Sequence, residues 1–266
     1  MKTIARMIAE KTKDRFASIH IDAIGLIRLG RTNDERLECL DQMITSVERL
    51  GGNIMIPTFS YTYPKNEAFC VRGTPSDVGL VTEYLRKRHP HKRTIDPFFS
   101  YLVFGEHKSE YFEVRDYECF GNRSLIADLF LKNGYVCCIG NVFYNTPTEV
   151  HYIEKLLGVD YRFNKVFSGV IEDHDGKRYQ QKTTFYCRKY VNEVLPDMTR
   201  LAADLKENHM FEYWRADNVD FEIQAVSFHR LFDFVKARIA QNPGYLCATP
   251  LEYAENLKKS IRNWRK

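Results

Sequence analysis

Residues 1–160 alternate between short apolar runs and longer amphipathic segments. The runs at 16–21, 53–57 and 135–139 have the length and continuous apolar character of buried strands. Between the first two, residues 33–50 place apolar side chains at helical spacing, and two glycines then end the helix. A strand, helix and strand in this order predict an α/β layer.

The pattern changes after residue 160. Residues 167–190 alternate polar and apolar positions on both sides of Asp175-Gly176, a dipeptide typical of a β-hairpin turn. A helix is expected over 195–210, and a strand followed by a closing helix over 220–241.

We therefore predict an α/β fold with a mixed central sheet flanked by helices, and a smaller antiparallel β layer in the C-terminal half. The predicted division places residues 1–160 and 226–266 in the main α/β domain. Residues 161–225 would form a smaller, mostly antiparallel β subdomain.

Composition narrows the class of protein. The chain has 266 residues, 44% of them hydrophobic, which is enough for a sizeable core. Its net charge of +4 is too small to indicate nucleic-acid binding and is compatible with small anionic ligands. The sequence shows neither a signal peptide nor an apolar run of membrane-spanning length, so we expect a cytoplasmic protein without a membrane partner.

The candidate chemistry lies in residues 141–158, "NVFYNTPTEVHYIEKLLG". His151 and Glu154 are three positions apart on a predicted helix, so they share one face. A carboxylate beside an imidazole fixes its tautomer and raises its basicity, which suits a general base. The helix follows a strand-to-helix loop, where α/β proteins place ligands, and Asn145 or Thr146 is expected to cap it.

Three other interpretations remain open at this point. The pair is compatible with a plain ion pair on a helix surface. A metal site could combine it with His20 or Asp96, although the helix supplies only two ligands. A third alternative makes Cys137 or Cys138 a nucleophile with the histidine as base, but both lie within an apolar run.

The cysteines favour a structural role. There are seven, an odd number, and they form no C-x-x-C pair. Reduced thiols in the core are the expected state, and a structural zinc site is not indicated by these spacings.

Residues 15–160 resemble the aminoglycoside 3-N-acetyltransferase family. "SIHIDAIGLIRLG" (18–30) is similar to the family's V-H-S-S-L-x-x-L-G, and "GGNIMIPTFS" (51–60) to its G-T-L-V-M-P-T-x-S. "RTIDPFFSYLVFGE" (93–106) and the stretch 119–154 resemble the next two family motifs in the same order, the last ending in T-x-x-H-x-x-E.

The resemblance implies transfer of an acetyl group from acetyl-CoA to a sugar amine, without a metal. It implies that His151 is the general base and that Glu154 orients it. Sites expected to contact the acceptor substrate are Thr58, Ser60, Tyr61 and Asp96. Sites expected to contact acetyl-CoA are Asp22, Ala23, Gly25, Gly30 and Ser100.

Two departures from the family pattern bear on the acceptor. The family's two serines after the first histidine are replaced by Ile21 and Asp22, and the residues around Asp96 differ from those of antibiotic-modifying members. The resemblance therefore points to a branch that acetylates a nucleotide-linked (dTDP-type) 3-amino-dideoxyhexose for lipopolysaccharide O-antigen synthesis. An aminoglycoside N-acetyltransferase is the alternative, an inactive CoA- or nucleotide-binding module is a further one, and a homodimer is left open.

Overall fold

We describe the fold from a computed structural model, which defines residues 1–140, 143, 147–189, 195–216 and 219–248. Within these ranges the helices are α1 (Lys2–Lys11), α2 (Asn33–Arg49), α3 (Leu80–Arg88), α4 (Leu125–Leu131), α5 (Glu149–Leu157), α6 (Thr199–Glu207) and α7 (Phe228–Gln241). The strands are β1 (Phe16–Ile21), β2 (Asn53–Pro57), β3 (Phe69–Cys70), β4 (Tyr101–Phe104), β5 (Tyr117–Glu118), β6 (Tyr135–Ile139), β7 (Arg162–Glu172), β8 (Arg178–Arg188), β9 (Glu212–Ala216) and β10 (Val219–Ser227). No helix in these ranges is both long and apolar enough to cross a bilayer.

The larger sheet has six strands in the order β4-β2-β1-β6-β10-β9. Its centre is parallel, since β1 pairs in parallel with both β2 and β6. The outer pairings, β2 with β4, β6 with β10 and β10 with β9, are antiparallel. The predicted mixed central sheet is therefore confirmed, and the carboxyl ends of its three parallel strands share one edge.

Both faces of this sheet are buried, which explains the continuous apolar runs. On one face Ala17, Ile19 and Cys137 pack in the cluster that contains residues of α1 and α2. On the other face Phe16 and Cys138 pack with residues of α4, α5 and α7. The two adjacent cysteines thus point to opposite faces, each within a separate apolar cluster.

The smaller sheet differs from its prediction in two respects. Its order is β3-β7-β8-β5, and only the long hairpin of β7 and β8 is antiparallel. Strand β3 pairs in parallel with β7, and β5 in parallel with β8. This sheet is therefore mixed, and the N-terminal half of the chain supplies both of its edges through strands too short to give a periodic signal.

Strand β9 and most of β10 fall within residues 161–225, the range predicted for the smaller subdomain. They nevertheless extend the six-stranded sheet. The reason is that β10 aligns antiparallel to β6, with Ala225 opposite Cys137, and so continues a buried layer. The division of the chain into two domains stays a prediction, and residues 249–266 lie outside the described residues.

The helix starts are defined by local contacts. Thr32 caps α2 in a reciprocal capping box with Glu35. Gly79 precedes α3. Thr148 precedes α5, whereas the expected caps at 145 and 146 lie outside the described residues.

Candidate active site

A cavity of about 960 Å³ lies at the carboxyl edge of the parallel strands. His20 at the end of β1, and the turn that follows it, form one side, and Thr148 and His151 at the start of α5 form another. The hairpin closes the opposite side through residues that include Arg162 and Arg188. Its volume is at the upper end of the range for small-molecule sites, so it can hold more than one small ligand.

His151 and Glu154 meet at this cavity. Nδ1 of the imidazole lies 2.7 Å from Oε2 of Glu154, and the histidine side chain is 17% exposed. An ionised carboxylate can only accept, so Nδ1 carries the proton and donates it. The lone pair is then on Nε2, which makes no hydrogen bond within the described ranges.

Two further groups hold Glu154, which is 1% exposed. Arg162 Nε lies 2.6 Å from Oε2, and the hydroxyl of Tyr161 donates to Oε1 at 2.8 Å. Burial alone would raise the pKa of Glu154, but the histidine, the arginine and the tyrosine together lower it below its usual range. Glu154 is therefore a carboxylate at neutral pH.

The same arginine acts on the imidazole. Nη2 of Arg162 lies 2.9 Å from Nδ1 of His151. Because Nδ1 already donates its proton to Glu154, it does not accept a hydrogen bond from Nη2. The contact therefore brings only the positive charge of the arginine close to the ring. Burial is the largest cause that lowers the pKa of His151, and Arg162 adds to it, against the opposing effect of Glu154. The imidazole is thus kept neutral with a free Nε2, the state that a general base requires.

A second histidine–carboxylate pair borders the cavity. Nε2 of His20 lies 2.8 Å from Oε2 of Glu149, the first residue of α5. The carboxylate is fully buried and the imidazole is 8% exposed. Burial would raise the pKa of Glu149, but the neighbouring imidazole helps to lower it.

Some of the predicted ligand-binding residues do line the cavity. Tyr61, from the loop after β2, is among them, and so are Asp22 and Ala23 from the turn after β1. The Asp22 carboxylate accepts the backbone N–H of Ile24 at 3.0 Å, so it caps the short 3₁₀ segment Ala23–Leu29. Their predicted contacts with ligands remain predictions.

Gly25 and Gly30, which were predicted to contact acetyl-CoA, are not among the residues that line this cavity. Gly25 packs so closely on the end of β6 that an added Cβ would lie 2.6 Å from the backbone nitrogen of Gly140. At Gly30 an added Cβ would lie 2.7 Å from the side chain of Glu35. Both positions have a packing reason for glycine that does not involve acetyl-CoA.

The hydroxyl groups of Thr58, Ser60 and Ser100 are buried behind the cavity wall. The Ser100 hydroxyl donates to the Thr58 carbonyl at 2.8 Å and accepts from Arg93 Nε at 3.0 Å. The Ser60 hydroxyl donates to the carbonyl of Pro97. As placed, these groups join the backbone segments behind the wall, and none of them faces the space that a ligand would occupy.

Asp96 lies behind the wall too. Its Oδ1 accepts the backbone N–H groups of Phe98 at 2.8 Å and Phe99 at 3.0 Å, which forms the turn before β4. Burial raises the pKa of this carboxyl to about 6, against the opposing effect of those two hydrogen bonds. These two side-chain hydrogen bonds hold the backbone in a turn before the strand begins.

Three residues of the site were missed from the sequence: Tyr161, Arg162 and Glu149. The first two follow α5 within a few residues and reach back to Glu154 because the chain turns after Gly158, and the apolar pattern does not predict the direction of that turn. Glu149 did have a signal. It is the first helical residue, where a carboxylate is favoured, and it lies two residues before the candidate base.

The alternative interpretations find little support in the geometry. Cys137 and Cys138 are fully buried, and burial raises the pKa of both thiols well above the usual range, which opposes thiolate formation. Within the described ranges, no group of three or more His, Cys, Asp or Glu side chains is arranged to hold a metal ion.

Solved structures with the same fold include three that are similar along most of the chain. Aminoglycoside acetyltransferase AAC(3)-IVa, as the apoenzyme, is 18% identical, with a TM-score of 0.64 over 94% of this chain and 92% of that one. AAC-IIIb in a binary complex with CoASH is 16% identical, with a TM-score of 0.66 over 91% and 97%. The YokD protein from Bacillus subtilis is 18% identical, with a TM-score of 0.61 over 91% and 94%. These likenesses establish the fold.

No curated protein sequence matches the chain. A family model described as aminoglycoside 3-N-acetyltransferase matches residues 26–240, which is well over half of the sequence. That span contains α5 with its histidine and glutamate, and also the hairpin that supplies the arginine beside them. The chain belongs to the aminoglycoside 3-N-acetyltransferase family.

Proposed function

We propose that this protein transfers the acetyl group of acetyl-CoA directly to an amino group on a sugar, with His151 as general base. The observation that carries the proposal is the arrangement of His151, Glu154 and Arg162 at a cavity large enough for both substrates. Family membership supports the reaction type. The neighbour crystallised with CoASH supports the donor.

The chemistry follows from the protonation states. Nε2 of His151 accepts a proton from the attacking amine as its nitrogen bonds to the thioester carbon. Glu154 holds the ring through Nδ1, so the lone pair keeps its direction. The tetrahedral intermediate then collapses, the carbon–sulfur bond breaks, and the products are an amide and the thiol of CoA.

The turn after β1 is expected to contact the thioester end of the donor and not its phosphates. The Asp22 carboxylate accepts the N–H of Ile24 at the start of the 3₁₀ segment, so a phosphate there would meet a negative charge. Ala23 next to it presents only a methyl group to the cavity, which suits the thin pantetheine arm.

For the acceptor, the comparisons favour an aminoglycoside over a nucleotide-linked sugar. The family description names aminoglycosides, and another structural neighbour, AAC-VIa, was crystallised with sisomicin. No comparison supports the nucleotide-linked substrate or a role in surface-polysaccharide synthesis. We therefore propose an aminoglycoside-type amino sugar as the first acceptor to test.

One observation keeps the nucleotide-linked sugar as a second candidate. An aminoglycoside is a polycation and favours an acidic site. The acidic lining of this cavity, Asp22 and Asp77, is matched by Arg162 and Arg188, and the rest of the wall is rich in aromatic rings such as Phe98 and Phe185. Such a wall could stack a nucleobase, and it lacks the excess of acidic groups that a polycation favours.

The experiment is a thiol-release assay with acetyl-CoA and a panel of acceptors. The panel contains aminoglycosides and nucleotide-linked 3-amino and 4-amino deoxyhexoses, and His151→Gln serves as the inactive control. A higher kcat/KM for an aminoglycoside supports the first acceptor, and the reverse order supports the second. Absence of turnover with every acceptor, in a protein that binds acetyl-CoA, would favour the inactive binding module.

A further inference from the structure

The cavity is bordered by two histidine–carboxylate pairs. They differ in whether an arginine also contacts the carboxylate. In the first, Glu154 contacts both His151 and Arg162. In the second, Glu149 has one ion-pair partner among the described residues, His20. Its other oxygen, Oε1, makes no hydrogen bond in the described part of the chain.

This difference bears on how each carboxylate is balanced. A buried carboxylate has to be neutralised by a partner, because an isolated charge in the interior is very unfavourable. Arg162 neutralises Glu154, so His151 can stay neutral. For Glu149 the ion-pair partner among the described residues is His20, and that pair is balanced when the ring carries a proton on both nitrogens, with Nε2–H donated to the carboxylate.

Helix α5 sets the geometry of both pairs. Successive residues are rotated by about 100°, so Glu149 and His151, two positions apart, project in nearly opposite directions. Glu149 turns towards the end of β1 and meets His20 there, whereas His151 turns towards the hairpin and Arg162. The two imidazoles therefore approach one cavity from different elements.

We propose that His20, charged and held by Glu149, is the general acid that protonates the sulfur of CoA as it leaves. The inference rests on the proposed acetyl transfer. The amine nitrogen bonds to the carbonyl carbon and its proton passes to Nε2 of His151. When the carbon–sulfur bond breaks, the electron pair goes to sulfur and the Nδ1 proton of His20 follows it. Solvent then removes the proton from His151 and returns one to His20.

The test compares two acetyl donors in the variant His20→Gln. Acetyl-CoA has a poorly acidic leaving thiol that benefits from a proton, whereas an acetyl nitrophenyl thioester releases a stable thiolate without one. We expect kcat/KM to fall by about 100-fold or more with acetyl-CoA and by less than about tenfold with the aryl thioester. Glu149→Gln should show the same selective loss to a smaller degree.

The matched control is His151→Gln. The base acts on the amine, so this variant should lose rate by a similar factor with both donors. Equal losses with both donors in His20→Gln, or no loss with acetyl-CoA, would overturn the assignment of the acid. If the wild-type protein transfers acetyl from neither donor to any amino sugar, the proposed function itself fails.

A second measurement needs no variant. In the wild-type enzyme, kcat/KM is compared across acetyl thioesters whose leaving thiols differ in acidity. A proton donated to sulfur makes the rate only weakly dependent on the acidity of the thiol. A steep dependence on that acidity would show that sulfur leaves as a free thiolate, which contradicts the role of His20 even if His20→Gln does not fold.

Discussion

Arg162 and Glu154 form a buried ion pair, in which the guanidinium Nε lies 2.6 Å from the same oxygen that holds the base. The arginine side chain is 6% exposed and the glutamate 1%. Because the carboxylate is already neutralised, it can orient His151 without converting it to an imidazolium. A lone carboxylate beside a histidine would both orient the ring and favour its protonation. The ion pair with Arg162 keeps the first effect and removes the second.

Replacing the base gives the most direct prediction. His151→Ala should lower kcat by about two to four orders of magnitude, because the attacking amine loses its proton acceptor. Affinity for acetyl-CoA, measured by calorimetry, should change little, since the imidazole faces the amine. The exposed His107→Ala is the control and should keep wild-type kcat. A near wild-type rate in His151→Ala would leave the buried pair with a structural role only.

Arg162→Gln should change the pH dependence. The arginine helps to lower the pKa of His151, so its removal should raise that pKa. The acid limb of kcat/KM against pH should then move to higher pH. The rate at pH 6 should fall more than the plateau rate at higher pH does. An unchanged profile in the folded variant would show that the arginine does not act on the base.

Asp96→Asn should stabilise the protein at alkaline pH. The carboxyl has a pKa of about 6 in the folded protein, above its ordinary value of 3.8, so the folded chain holds a proton that the unfolded chain releases. Stability contributed by this group therefore falls as pH rises from about 4 to about 6. The asparagine keeps the Oδ1 acceptor for Phe98 and Phe99 and carries no charge.

The expected gain in unfolding free energy at pH 8 is roughly 1–3 kcal/mol, with almost none at pH 4. Chemical denaturation at the two pH values measures it. A large loss of kcat with no gain in stability would instead favour the predicted role of Asp96 in orienting the substrate amine.

Gly25→Ala tests the close approach between the turn after β1 and the end of β6. The new Cβ would lie 2.6 Å from Gly140 N and 2.8 Å from the carbonyl carbon of Ile139, and backbone cannot move aside easily. We expect a loss of about 1–3 kcal/mol in unfolding free energy. Gly73→Ala, whose Cβ would meet the Cys70 side chain at 3.1 Å, should lose less.

The sequence predicted the central elements well because their signals are local. The runs that became β1, β2 and β6 are apolar on both faces, and α2 is bounded by a cap and by two glycines. Strands β3 and β5 have two residues each, too few for any periodicity, so the smaller sheet was predicted without its edges. Those two strands form only by pairing with β7 and β8, which lie far from them in the sequence.

The same distinction applies to the site. His151 and Glu154 share a helix turn, so their contact follows from spacing alone. The Arg162 contact depends on how the chain turns after α5, and the pairing of His20 with Glu149 depends on how distant elements meet, so the local pattern predicted neither. Thr58 and Ser60 were predicted as ligand contacts from their position at the end of β2. Their hydroxyl groups donate to backbone carbonyls behind the wall, and their contact with a ligand stays a prediction.

The hairpin of β7 and β8 has a consequence for how the enzyme matures during synthesis. His151, the proposed base, and Glu154 emerge from the ribosome before the hairpin does, yet Arg162, which neutralises Glu154, is the first residue of β7. Strands β3 and β5, the edges of the smaller sheet, are synthesised much earlier, and they can pair with β7 and β8 only after the hairpin has been made. Such long-range pairing forms slowly, so catalytic competence should be among the last properties that a newly made chain acquires.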